Sequence, residues 1–327
     1  MTANRASFSW LAVFPAHLKE MLSSLPEQQL ASFEEIRLRI GQPIECICHG
    51  QSLFLTPKGE LGRWLSTGYR FTAEDGTKML NIISNHSLYT LEEELRRGYV
   101  TVQGGHRVGI SGKVILEKGG VKGIRDISSF NVRIAREVIG AANGVMPVLW
   151  DRRRKEIYHT LIISPPQCGK TTLIRDIARQ ISYGHSPLPR GFKVGIVDER
   201  SEIAGSLRGV PQKDVGPRTD VLDGCPKAEG MMMLIRSMSP EVLVVDEIGG
   251  EKDTQALLEA VHAGVKVITT AHGWDYVDVL RRPSLAPLLS RWAFERVIIL
   301  NRERGPGTVQ AVLDRDGKPV TTGGNAG

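Results

Sequence analysis

The stretch Ser164-Pro165-Pro166-Gln167-Cys168-Gly169-Lys170-Thr171-Thr172 lies between an apolar run, Tyr158-His159-Thr160-Leu161-Ile162-Ile163, and a segment with Leu173, Ile174, Ile177, Ala178 and Ile181 at helical spacing. A loop set between a strand and a helix in this way turns successive backbone N–H groups and a helix N-terminus toward phosphate oxygens. Its lysine ammonium reaches the β and γ groups, and a threonine hydroxyl ligates Mg²⁺. The spacing therefore predicts a nucleotide site in which residues 164–172 form the cradle, Lys170 meets phosphate and Thr171 meets the metal. One position departs from the pattern, because Ser164 stands where such a loop begins with glycine. If that position needs a positive φ, a residue with a Cβ is strained there.

Three further sets follow apolar runs and so belong at strand ends. Val242-Leu243-Val244-Val245 leads into Asp246-Glu247. Beside a phosphate loop, Asp246 is expected to serve the metal through water, and Glu247 to orient or deprotonate the attacking water, as in-line phosphoryl transfer requires. Asp198-Glu199-Arg200 closes the run Phe192–Val197. Glu199 competes with Glu247 for the base role. Arg200 either touches phosphate, directly or across a subunit boundary, or makes an internal pair with a glutamate. Ala271-His272-Gly273 follows Val265–Thr270, and His272 is expected to hydrogen-bond the γ-phosphate and report its presence, the alternative being a structural histidine.

The elements that must carry these residues can be read more coarsely. A chain of 327 residues, 41% apolar and 24% charged, has room for two domains with their own cores. The net charge of +6 suits nucleic acid, an anionic membrane surface or nucleotide phosphates, and does not choose among them. Cys46, Cys48, Cys168 and Cys225 form no paired CxxC, which argues against a disulfide framework or a zinc site. No apolar run reaches the length of a membrane span and no secretory leader is visible, so a reducing, cytoplasmic location is expected. Trp10, Leu11, Phe14, Leu18, Met21, Leu22 and Leu25 have helical spacing, which favours packing on a core over contact with a membrane or partner. Residues 1–145 mix this helix with short strands and read as an α+β domain; within 140–155 the Asn143-Gly144 turn and Arg152-Arg153-Arg154-Lys155 suggest a linker. Residues 146–304 alternate strands and helices, with helices at Pro226–Met238 and at Asp253–Ala263, the latter capped by Asp253. This predicts an α/β domain with a mostly parallel, doubly wound sheet and ligands at the carboxyl ends of its strands. Residues 305–327 read as a flexible C-terminal tail.

In chain order, Gly169-Lys170-Thr171, Asp198-Glu199-Arg200, Asp246-Glu247 and Thr270-Ala271-His272 resemble the Walker A, Asp box, Walker B and His box of the secretion ATPases of type II and type IV systems. Glu34–Arg39, Gly104–Gly109, Val197–Gly205, Lys227–Met233 and Arg236–Glu241 are similar to one branch, the stage III sporulation protein AA family, and the likeness runs from about Glu34 to Leu300. The resemblance implies a RecA-like P-loop NTPase domain with a smaller α+β N-terminal domain, ATP and Mg²⁺ as cofactors, and a ring, expected to be a homo-hexamer. It implies a place at the inner face of a membrane, through a membrane protein of the channel between mother cell and forespore that the ATPase energises. It also implies ATP at the domain junction with N-domain arginines on its phosphates, for which Arg107 and Arg133 correspond. Two departures stand out, Ser164 and the pair Asp246-Glu247 where these ATPases usually have Gly-Glu, so the division of labour between Glu199 and Glu247 stays open. A nucleic-acid motor on the same core is the main alternative. Against it, Arg-x-x-x-His occurs nowhere, aromatics are only 6% and do not alternate with basic residues, so nucleic acid is not the expected partner. A scaffold that binds ATP and hydrolyses it slowly is a third reading, raised by Ser164.

Overall fold

In β1 (Phe33–Arg39) the buried Ile36 and Leu38 alternate with half-exposed Glu35 and Arg37, the period of a strand with one face on a core. The same alternation recurs in β2 (Glu45–Cys48), at the start of β6 (His106–Glu117) and at the end of β7 (Gly120–Arg133); β3 (Gln51–Leu55), β4 (Leu61–Gly62) and β5 (Tyr99–Val102) complete the set. These pair antiparallel throughout, in the order β4-β3-β2-β1-β7-β6-β5. The computed structural model describes residues 8–84, 98–117, 120–290 and 294–320. The chain divides into two units, Met1–Arg136 and Glu137–Gly327. In the first, Trp10, Phe14, Leu18, Leu22 and Leu25 are buried in one cluster with Ile36, Leu38, Val108 and Val132. The N-terminal apolar stripe is thus spent on the core. It is split at Pro15 into a 3₁₀ turn, Ser9–Val13, and a helix, Ala16–Ser23, because proline opens a helix readily and continues one poorly.

The second unit holds β8 (Trp150–Asp151), β9 (Glu156–Ile157), β10 (Thr160–Ser164), β11 (Val194–Asp198), β12 (Thr219–Asp223), β13 (Val242–Val245), β14 (Lys266–His272), β15 (Arg296–Asn301) and β16 (Thr308–Asp314). Seven of them form one sheet in the order β12-β11-β13-β14-β10-β15-β16, parallel except for the β15–β16 pair. Ile162, Ile196, Val244 and Ile268 share a core with the helix Lys170–Tyr183, whereas Leu161, Ile163, Val197, Leu243 and Val245 share another with the helices Lys227–Ser237 and Glu251–His262. A strand buried on both faces must be apolar at every position, which is why these strands read as continuous runs. Full burial of each such side chain contributes roughly 1.5–3 kcal/mol. The strand ends that carry the polar sets are therefore held by their own apolar bodies.

The structure corrects the sequence reading at three places. The presumed linker belongs to the second unit: Ala142, Val145, Met146, Leu149 and Trp150 are buried in its core, and the Ala142 N–H donates to Asp176 Oδ2 at 2.8 Å. The presumed tail contains β16, whose Val312 and Leu313 are buried beside β15; residues 321–327 lie outside the described part. The Gly-rich, polar composition after Arg304 reads as a tail, but residues 305–307 belong to the turn of the β15–β16 hairpin. The helix expected to start at Asp253 starts at Glu251, and the Asp253 carboxylate reaches back to the Gly249 and Gly250 N–H groups at 3.2 Å. A carboxylate in the first turn satisfies orphan donors from inside the helix, which sequence reading mistakes for a cap. No described helix is long and apolar enough to cross a membrane.

Candidate nucleotide site

Parallel register brings the polar sets to one edge. Ser164, the last residue of β10, pairs with His272 of β14, and β13 ends at Val245 between β11 and β14. Ser164 is buried within the strand and is not among the positive-φ residues. The left-handed positions of the loop are Gln167 (φ 59°) and Gly169 (φ 85°). The odd serine therefore carries no backbone strain, and the loop's non-glycine strain falls on Gln167, where it costs about 1–2 kcal/mol. Gly169 is required twice over. Its φ suits glycine, and a Cβ there would sit 3.0 Å from the Gly307 nitrogen, whose N–H donates to the Cys168 carbonyl at 2.8 Å. The β15–β16 turn thus braces the loop.

The helix Lys170–Tyr183 begins at Gly169 with no side-chain cap, so the N–H groups of its first turn remain available to an anion. The buried Lys170 ammonium donates to the carbonyls of Ser164 and Pro165, both at 3.2 Å, and lies 3.3 Å from Ser164 Oγ and 3.1 Å from His272 Nδ1. Burial pushes its pKa down, and the carboxylates of Glu247 and Asp246 oppose that shift. An ammonium can only donate, so Nδ1 accepts and the imidazole proton sits on Nε2, 2.8 Å from Glu247 Oε1. The other oxygen of Glu247 accepts from Arg200 Nη1 at 3.0 Å. Lys170, His272, Glu247 and Arg200 thus form one hydrogen-bonded line across the sheet edge.

Beside that line, Thr171 Oγ1 donates to Asp246 Oδ2 at 2.8 Å, and Thr270 Oγ1 donates to Asp246 Oδ1. Burial raises the Asp246 carboxyl above the usual range, while the two hydroxyl bonds pull it down. Among the described residues, no group of three or more His, Cys, Asp or Glu side chains is arranged to hold a metal. A hydroxyl next to one carboxylate nevertheless fits Mg²⁺, which keeps most of its shell as water and phosphate oxygens. Thr171 and Asp246 are the residues that would hold it.

Glu199 accepts an ion pair from Lys227. Asp198 is scaffolding: it is buried and accepts the N–H groups of Glu202 and Ala204, each at 2.8 Å. From the other side, the buried Arg175 donates to the Ile203 carbonyl and, at 2.7 Å, to the Glu202 carbonyl. Of the two readings of Arg200, the structure shows the internal pair; its side chain is 64% exposed, so the pair contributes at most about 1 kcal/mol. Arg107 and Arg133 lie opposite each other on β6 and β7 of the first unit. The Arg107 guanidinium stacks 4.7 Å above the Tyr99 ring, and Arg133 lies 3.7 Å from the Glu35 carboxylate.

Sequence reading assigns no role of their own to Thr270, Lys227 and Arg175, although the first two fall in segments that carry the resemblance. Only Thr270 left a usable signal, since residues two apart on a strand face the same way and Thr270 precedes His272 by two. Arg175 and Lys227 are ordinary helix residues whose partners come from a distant loop. Because the Ser164 hydroxyl donates to its neighbour Pro165 O at 2.8 Å, Ser164→Ala is expected to leave nucleotide affinity within about threefold of wild type by titration calorimetry. A loss of tenfold or more would mean that the hydroxyl serves the nucleotide directly.

A strand–loop–helix carrying Gly169-Lys170-Thr171, two strands that lead into acids and a strand ending in histidine, all at the carboxyl edge of one mostly parallel sheet, define a RecA-like P-loop NTPase domain in a chain that also has a smaller α+β domain. The same architecture occurs in the ATPase DotB of Legionella pneumophila (TM-score 0.57, 16% identity, 88% of this chain and 76% of that one). It occurs also in the pilus retraction motor PilT solved with bound ADP (TM-score 0.55, 17% identity, 84% and 76%). The chain belongs to the family Sporulation stage III, protein AA, whose model matches residues 10–320. Stage III sporulation protein AA of Bacillus subtilis (strain 168) is 55% identical over 314 residues, which is 95% of this chain and 97% of that protein.

Proposed function

We propose that this chain is an ATP-hydrolysing motor that works during endospore formation. The observation that carries the reading is the line from Lys170 through His272 to Glu247, set beside the Thr171–Asp246 pair. These are the parts that in-line phosphoryl transfer needs, gathered at one sheet edge. When bound, Mg²⁺ neutralises charge that develops on the phosphates. Lys170 holds the β and γ groups, Thr171 and Asp246 hold the metal, and Glu247 orients the attacking water. Glu247 is the better base candidate because its carboxylate is one hydrogen-bonded side chain from Lys170, whereas Glu199 is tied to Lys227. His272 links Lys170 to Glu247 and is suited to report the γ-phosphate. The unstrained Ser164 supports an active site over a slow scaffold.

The family relationship supports the finer parts of the proposal. These are a homo-hexameric cytoplasmic ring at the inner face of a membrane, docked on a membrane protein of the channel between mother cell and forespore. Arg107 and Arg133 of the first unit would add charge at the phosphates. Mass in solution with and without a non-hydrolysable ATP analogue tests the ring, and phosphate release tests hydrolysis. A nucleotide-dependent hexamer is expected. A monomer that persists with saturating analogue would overturn the ring, and failure to bind the analogue would overturn the nucleotide site itself.

A further inference from the structure

Beyond Val245 the chain leaves the sheet, and one residue of the neighbouring strand holds the next three. Thr270 is fully buried in β14. Its hydroxyl donates to Asp246 Oδ1 and accepts the Glu247 N–H at 2.8 Å, and its carbonyl accepts the Ile248 N–H at 2.9 Å. A threonine hydroxyl has one proton and two lone pairs, so it can make the donated and the accepted bond at once. The held segment is strained, because Glu247 has φ 54°, a left-handed conformation that a non-glycine residue keeps only where its surroundings fix it. Thr171 takes the remaining oxygen of Asp246, so hydroxyls grip the carboxylate on both sides. Thr269, the residue before, points its hydroxyl to the Val245 carbonyl at 2.8 Å and plays no part in this grip.

We propose that Thr270 is a positioning residue for the ATPase reaction. Its single hydroxyl sets the Asp246 carboxylate for the metal and, through the Glu247 N–H, aims the backbone from which the Glu247 carboxylate projects. The inference rests on the ATPase reading for its consequence and on the nucleotide-free geometry for its substance. Thr270→Val keeps the branched shape and the carbonyl and removes only the hydroxyl; Thr270→Ser keeps the hydroxyl; Thr270→Ala is a smaller hydroxyl-free variant if valine fails to fold. None of them alters the loop or Lys170.

Amide hydrogen exchange without nucleotide tests the anchoring. The Glu247 amide is expected to exchange at least about tenfold faster in Thr270→Val than in wild type, and Thr270→Ser to stay within about threefold. Steady-state kinetics tests the consequence: kcat is expected to fall about 10- to 100-fold in Thr270→Val with KM for ATP changed less than about threefold, and serine to restore most of the rate. Wild-type exchange and rate in the valine variant would overturn the proposal, as would a serine variant as poor as valine, since shape and not the hydroxyl would then matter. If wild type releases no phosphate, the ATPase reading fails, and hydrogen exchange still decides whether Thr270 anchors the acids.

Discussion

Lys170→Ala is expected to lower ATP turnover by about 10²- to 10³-fold, or about 3–4 kcal/mol of transition-state stabilisation, without lowering the thermal midpoint. The two halves of this expectation come from the same geometry. Lys170 is 5% exposed, and its ammonium is surrounded by two carbonyls, a hydroxyl and an imidazole nitrogen, with no ion pair to a carboxylate among the described residues. Burial without a paired charge disfavours the ammonium, which is the direction of its pKa shift, so removing it relieves a cost in the nucleotide-free protein. The same placement puts a cation at the end of the loop where a triphosphate is proposed to bind, and its charge would draw the ammonium away from His272. Thermal unfolding and phosphate release on one preparation check both halves. A variant that retains the wild-type rate would mean that the measured activity is not this protein's. A variant that loses both rate and stability would mean that Lys170 is a structural residue.

Glu247→Gln is expected to reduce turnover by a similar factor, about 10²- to 10³-fold, while ATP remains bound. Glutamine keeps the size and the left-handed backbone but cannot accept a proton, and it offers one acceptor where glutamate offers two, to His272 and Arg200. Arg200 is largely exposed and can be solvated when that bond is lost, so little stability goes with it. Glu199→Gln serves as the comparison and is expected to stay within about threefold of wild type, because Glu199 is engaged by Lys227 and has no bond to the Lys170–His272 line. Filter retention of labelled ATP together with single-turnover hydrolysis separates binding from chemistry. A near-normal Glu247→Gln beside an inactive Glu199→Gln would transfer the water-orienting role to Glu199.

The two expectations differ in how far the sequence supports them. For Lys170, residue order is enough, because phosphate loops are local: strand end, loop and helix start are contiguous, and Gly169-Lys170-Thr171 places its own functional groups. For Glu247 it is not enough. Glu199 and Glu247 both follow apolar runs, and nothing in the spacing decides between them; the proposal of Glu247 rests on their partners, Lys227 for Glu199 and His272 for Glu247. Those partners sit on another strand and a helix: parallel pairing brings His272 beside the end of β13, and packing of the helix Lys227–Ser237 on the sheet brings Lys227 to Glu199. The two readings of Arg200 stay open in the sequence for the same reason.

Glycine and proline misled the reading at the ends of the second unit. The Gly-rich composition after Arg304 suggests a frayed tail, yet residues 302–307 close a hairpin whose Gly307 N–H donates to the Cys168 carbonyl in the loop before Lys170. The Asn143-Gly144 turn suggested a linker, yet Asn143 bonds to Gln180 at 2.9 Å and the residues around it are buried. Turn chemistry reports local backbone preference and says nothing of what a turn packs against.

By itself, the sequence determined the α/β class, the strand–loop–helix around Lys170 and the identity of the acids and histidine at the strand ends, because short-range spacing and apolar periodicity specify contiguous structure. Only the tertiary structure decided that Ser164 is unstrained, that Asp198 is scaffolding, that Thr270 holds both acids and that the β15–β16 turn braces the loop. The Thr270 and Gly307 contacts join groups far apart in the chain, whose meeting is set by sheet register and core packing, whereas Ser164 and Asp198 are settled by local backbone conformation that residue types do not specify.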